Sequence, residues 1–130
     1  MTTTTKIETM LDVKLCVAKD PRTSANILVK LSTDECSTVR HYVAKNTTTP
    51  VRVLIKLSTD SDRDVRKAVA YNLYTPSDIL VKLSTDKCSY VRGAVAKNPT
   101  TPVGVLAKLS TDKNLSVREY VAKNPNTPDS

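Results

Sequence analysis

The chain has no tryptophan and no phenylalanine; its aromatic residues are five tyrosines, and it carries two glycines, one histidine and three cysteines in 130 residues. Each shortage excludes something. Without large aromatics the core must be built from Val, Leu, Ile and Ala, which suits thin layers of short elements better than one thick centre. With only Gly93 and Gly104 there is no Gly-rich phosphate loop, and neither a G-x-S-x-G elbow nor a clustered carboxylate pair is present. A lone His41 and no C-x-x-C leave no zinc spacing, so no metal and no cofactor are expected and the chain reads as non-enzymatic. No run approaches the roughly 18 apolar residues of a membrane span. No apolar signal segment follows Met1, and the thiols read as free, which together point to a reducing, cytoplasmic setting.

Charge is abundant by comparison. Twenty Lys and Arg stand against thirteen Asp and Glu, a net charge of +7. A surplus of that sign attracts nucleic acid, anionic membrane or acidic protein surfaces, and by itself does not choose among them.

The dominant feature is a repeat. Val13, Val39, Val65, Val91 and Val117 open successive copies at a constant 26-residue offset, with no insertion or deletion and with the fifth copy incomplete at Ser130. A fixed period of this size is the mark of a solenoid, in which each unit buries its apolar face against its neighbours. Residues 1–12 lie outside the register and are assigned as an N-terminal cap: Thr2 to Thr5 form a polar start that frays, while Ile7, Met10 and Leu11 cover the first unit. Residues 13–130 form the repeat domain.

In the clearest copy, Val91, Val95 and Ala96 share one face of a helix over about 91–97. Asn98 precedes Pro99, which pushes it out of the α region and stops that helix. The second helix begins with Thr101 as a hydroxyl N-cap and Pro102 at its first position, and buries Val105, Leu106 and Leu109. Its leucine pair recurs as Leu28 and Leu31, Leu54 and Leu57, Leu80 and Leu83. Elements of two turns are too short to persist alone in water, so stacking must supply their stability. The fold class is all-α, a solenoid of about four and a half two-helix units.

The shared pattern V-R-x-x-V-A-K-N-P-x-T-P-x-x-x-L-x-x-L-S-x-D, present over residues 13–130, resembles the variant leucine-rich repeat family, a relative of HEAT-type helical repeats. The resemblance implies a right-handed superhelix in which a shorter helix, 3₁₀ or α, at the V-R-x-x-V-A segment alternates with an α-helix. Some members carry a cysteine cluster for iron and sulfur ahead of the repeats; this sequence has no such cluster, so no metal site is carried over.

The recurrent polar residues each admit two readings. Asp34, Asp60, Asp86 and Asp112 stand six residues before Arg40, Arg66, Arg92 and Arg118, either stapling unit to unit or leaving the arginines as a phosphate-binding ladder. Asn46, Asn72, Asn98 and Asn124, with Asp20 in the first copy, read as caps of the turn between helices. Lys19, Lys45, Lys97 and Lys123 form one row and Lys30, Lys56, Lys82 and Lys108 another. Both are solvated faces or, alternatively, tracks for a polyanion. His41 reads as a surface residue and Cys16 as a small packing residue. Cys36 and Cys88 lie two units apart, about 20 Å at roughly 10 Å per packed helix, too far for a disulfide.

Departures from the repeat carry the functional reading. The third copy has AYNLYTP where the fourth has AKNPTTP, so Tyr71, Leu73 and Tyr74 crowd one turn, and Tyr90 extends the patch. Tyrosines dominate interface hot spots, which makes a protein-binding module the leading expectation and backbone binding of nucleic acid through the lysine rows the alternative. No membrane is expected as a partner. Weak self-association is a third reading, because Val117, Val121 and Ala122 would lack a covering helix.

Overall fold

Valine and alanine spaced four and five apart give a short helix one smooth apolar face that needs a neighbour on each side. The computed structural model, which describes the backbone over residues 3–128 and side chains over 10–128, supplies those neighbours. The helices are α1 (Thr3–Lys19), α2 (Ala25–Leu31), α3 (Ser37–Lys45), α4 (Val51–Leu57), α5 (Arg63–Tyr71), α6 (Ser77–Leu83), α7 (Ser89–Lys97), α8 (Val103–Leu109) and α9 (Leu115–Lys123). Among the described residues the chain is all-α, and its packing is that of a helical repeat. The odd-numbered helices stack side by side in chain order at close backbone range. Each even helix packs on the odd helices before and after it, and the even helices approach one another much less closely.

Small side chains allow the closeness of the odd layer. Ala18, Ala44, Ala70 and Ala96 are fully buried there, together with Val39, Val43, Val65, Val69, Val91 and Val95. Leu28, Leu54, Leu80 and Leu106 fill the space between layers and are likewise sealed from solvent. Burying a leucine contributes about 1.5–3 kcal/mol, and the row recurs in every unit.

Several expectations change. The V-R-x-x-V-A helix is the longer of the two, nine residues against seven in α7 and α8, and both are α-helical. Thr101 is not an N-cap: Pro102 takes that position with extended backbone, and the Thr101 hydroxyl instead donates to the Val95 carbonyl at 2.6 Å. The first helix of the clearest copy does stop before Asn98, which is extended ahead of Pro99, but proline is not required for this, since α3 and α5 end at Asn46 and Asn72 with the same geometry although Thr47 and Leu73 follow them. The N-terminal extension and the first helix of the repeat are one continuous helix, α1, so no break falls at residue 12. Leu11 packs against the core, whereas Met10 and Val13 are exposed; Thr2 and the Ile7 side chain lie outside the described residues. Cys16 is exposed, while Cys36 and Cys88 are half-buried against the core. Val117 and Val121 are already covered, and only Ala122 of that trio is exposed.

Gly104 sits inside α8 with open space where a Cβ would go. Gly104→Ala should therefore raise stability by about 0.5–1 kcal/mol, the helix-propensity gain. Urea unfolding reads this as a higher midpoint at unchanged slope; a lower midpoint would mean that this surface of α8 is engaged.

Candidate functional site

The repeated polar residues are occupied in holding units together. Arg40, Arg66 and Arg92 each fork onto the aspartate of the following turn, with Nε donating to Oδ2 of Asp60, Asp86 and Asp112 at 2.8 Å. A second bond runs from each Nη2 to the other carboxylate oxygen at 3.2 Å, and each Nη1 donates to the carbonyl of the preceding turn's aspartate. The arginines are half-buried or buried and their forks are filled, which favours the stapling reading over a phosphate ladder. Lys14 replaces arginine in the first unit and reaches Asp34 at 2.8 Å.

Asparagine makes the second set of bridges. The buried Nδ2 of Asn46, Asn72, Asn98 and Asn124 donates to two carbonyls of the previous unit, those of Ala18 and Asp20, Ala44 and Asn46, Ala70 and Asn72, Ala96 and Asn98. Each Oδ1 accepts the N–H two residues on, which fixes the turn.

The lysine rows lie on different layers. Lys30, Lys56, Lys82 and Lys108 stand in the last turns of the even helices, and Lys19, Lys45, Lys97 and Lys123 at the ends of odd ones; all are exposed. In the odd layer they are laid on tyrosines: Lys19 and Lys45 flank the Tyr42 ring at 4.4 and 5.7 Å from its centre. His41 is half-buried beside that ring, its Nδ1 3.1 Å from the Asp64 carbonyl oxygen.

The same motif closes into a cleft farther along. Tyr71 of α5, Tyr90 of α7 and Tyr120 of α9 line a depression of about 290 Å³ together with Lys67, Lys97 and Gly93, rimmed by Ser89, Asn114 and Ser116. The Lys67 ammonium lies 5.7 Å from the Tyr71 ring centre and 5.9 Å from that of Tyr90. Lys97 lies 5.8 Å from Tyr71 and 4.1 Å from Tyr120, and the Arg63 guanidinium covers Tyr90 at 5.4 Å. Such cation–π contacts orient the ammonium groups while leaving their N–H bonds available. The Tyr71 hydroxyl beside Lys97 pushes its ammonium above the ordinary lysine value, against a smaller opposing effect of burial. No aspartate or glutamate lines the cleft.

Gly93 makes the room. Its register is filled by Leu15, His41, Lys67 and Glu119 in the other units, and a Cβ there would stand 3.3 Å from the Tyr120 ring. The structure thus divides the tyrosine patch: Tyr71 and Tyr90 meet in the cleft, whereas Leu73 and Tyr74 are exposed in the turn between α5 and α6 and do not line it. The residues missed in the sequence, Tyr120, Lys67 and Gly93, adjoin them on three successive odd helices. Tyr90, Gly93 and Lys97 stand at i, i+3 and i+7, one face of a helix, which was legible once α7 is started at Ser89.

The chain matches no protein-family model, no curated protein and no solved structure. Among the described residues no His, Cys, Asp and Glu cluster is placed to hold a metal ion, and no helix is long and apolar enough to cross a membrane.

Proposed function

We propose that this chain is a non-enzymatic binding module of the variant leucine-rich repeat type, a right-handed solenoid that recognises a partner protein on its odd-helix face. The closer approach of the odd helices is consistent with that face being the concave one. The convergence of Tyr71, Tyr90 and Tyr120 with Lys67 and Lys97 carries the functional reading. Tyrosine supplies rigid contact area at little entropic cost, and two cations with no acid lining their cleft select a partner segment bearing negative charge. Tyr74 and Leu73, exposed in the adjoining turn, extend the contact area.

Backbone tracking of nucleic acid fits less well. The tyrosine faces are already covered by ammonium groups, so bases would have to displace them to stack. Asp64 and Glu119, both exposed on odd helices, also interrupt the positive surface along that layer.

Panning a random peptide library on the immobilised chain tests the reading. Wild type should enrich peptides with clustered acidic side chains, and the variant Tyr71→Ala with Lys97→Ala should not. Equal enrichment by both, or none above a blocked surface, would dismiss it.

A further inference from the structure

The cleft has a composition more specific than a basic surface needs. Its cations are two and converge on one ring, both ammonium groups lying within 5.8 Å of the Tyr71 centre. Its rim is donor-rich, with the hydroxyls of Ser89 and Ser116 and the Asn114 amide beside the tyrosines. A single carboxylate would neutralise one lysine and leave the other unmatched, whereas a phosphate monoester carries nearly two charges at neutral pH and three acceptor oxygens. The depression, about 290 Å³, is also roomier than an ion requires, because Gly93 places no side chain against the Tyr120 ring that forms one wall. An aromatic or aliphatic stem can enter between the rings while its phosphate meets the lysines.

We infer that the cleft between Tyr71, Tyr90 and Tyr120 is a recognition site for one phosphorylated side chain of the partner protein, held by Lys67 and Lys97. This rests on the protein-binding reading and adds to it the chemistry of the anion. The arrangement occurs once along the described stack. At the Tyr90 register the other units carry Asp12, Thr38, Asp64 and Ser116, and at the Gly93 register they carry larger side chains. Binding is therefore single-site, unlike the multiple contacts of a polyanion.

Phenyl phosphate is the probe. Titrated into ¹⁵N-labelled protein near neutral pH, it should shift the amide signals of Tyr71, Gly93 and Tyr120 saturably. Benzoate should bind about tenfold more weakly, since it can satisfy only one of the two ammonium groups. Acidification below about pH 6, where the dianionic ester takes up one proton and becomes a monoanion, should weaken binding. Lys67→Ala with Lys97→Ala should abolish the shifts while leaving the rest of the spectrum unchanged, both side chains being on the surface. Gly93→Ala should weaken binding with the fold intact. Equal affinity for benzoate, shifts that persist without the two lysines, or tighter binding of oligothymidylate at the same residues would overturn the assignment. Success of the acidic-peptide panning alongside any of those results would remove the phosphate and keep the protein partner; failure of both experiments would remove both.

Discussion

Asn98→Ala is expected to lower stability by about 2–4 kcal/mol. The Asn98 side chain is buried at 1% exposure and makes four hydrogen bonds. Its Nδ2 donates to the carbonyls of Ala70 and Asn72 at 2.8 and 3.2 Å, and its Oδ1 accepts from the Thr100 N–H and hydroxyl at 2.8 and 2.7 Å. Alanine deletes every one of these and leaves the interior Ala70 carbonyl unpaired, at a cost of about 1–3 kcal/mol before relaxation, while the Asn72 carbonyl keeps the Thr75 N–H. Asn98→Asp should be no better, because a carboxylate offers no N–H to those carbonyls and faces them with like charge. Urea unfolding at a single protein concentration measures both; a loss below about 1 kcal/mol for Asn98→Ala would mean that water replaces the bridge.

Arg92→Met is expected to cost about 2–4 kcal/mol, less than breaking a fully enclosed pair because the aspartate side chain keeps some contact with solvent. The variant strands Asp112, whose side chain is 9% exposed and receives two bonds from Arg92. It also frees the Asp86 carbonyl that Nη1 had satisfied. Arg92→Met combined with Asp112→Leu should recover most of the loss, since it is the unpaired charge that is expensive. The effect depends on pH with a definite sign. Burial pushes the Asp112 carboxyl up, but the Arg92 guanidinium and the Asn114 N–H together outweigh it and hold it below the usual carboxylate value. A depressed folded value contributes stability that is complete above the unfolded value of about 3.9 and is lost as pH falls through the folded one. The gap between wild type and Arg92→Met should thus be constant near neutrality. It begins to close once the variant's buried Asp112, relieved of Arg92 and with its burial opposed only by the Asn114 N–H and Lys113, takes up its proton, and it goes on closing as pH falls through the depressed wild-type value. Asp34, held down by its bond to Lys14, titrates in the same direction and steepens the acid limb of the wild-type curve.

Much of this architecture was legible because the repeat writes the same contact several times. A leucine that returns at one offset as Leu28, Leu54, Leu80 and Leu106 has to face a common core, and it does. Arginine and aspartate that keep step have to meet across a turn, although which aspartate each arginine chooses, the one 20 residues ahead, depends on how far one unit advances on the last. Local terminations were harder to read. Thr101 has the right chemistry for an N-cap, but it stands one position too early, since Pro102 holds the N-cap position of α8 and the Thr101 hydroxyl donates to the Val95 carbonyl at the end of the previous helix. The cleft was the least legible part. Comparing copies column by column exposes Tyr71 and Tyr90 as departures, yet Tyr120 sits in the register of Tyr42 and looks unexceptional there. Only the side-by-side placement of α5, α7 and α9 turns three separate columns into one surface.

No arginine or asparagine bridge spans more than 28 residues, so no unit is tied to anything beyond its immediate neighbours. Length is therefore a free variable of this architecture. One whole extra copy spliced in phase would leave each ladder continuous, while a single extra residue would slip both ladders at once. The cleft obeys a stricter rule. It draws on three consecutive odd helices, so a copy inserted between α7 and α9 would preserve the stack and carry Tyr120 away from Tyr71. Growth by duplication can thus lengthen this protein anywhere except across the cleft.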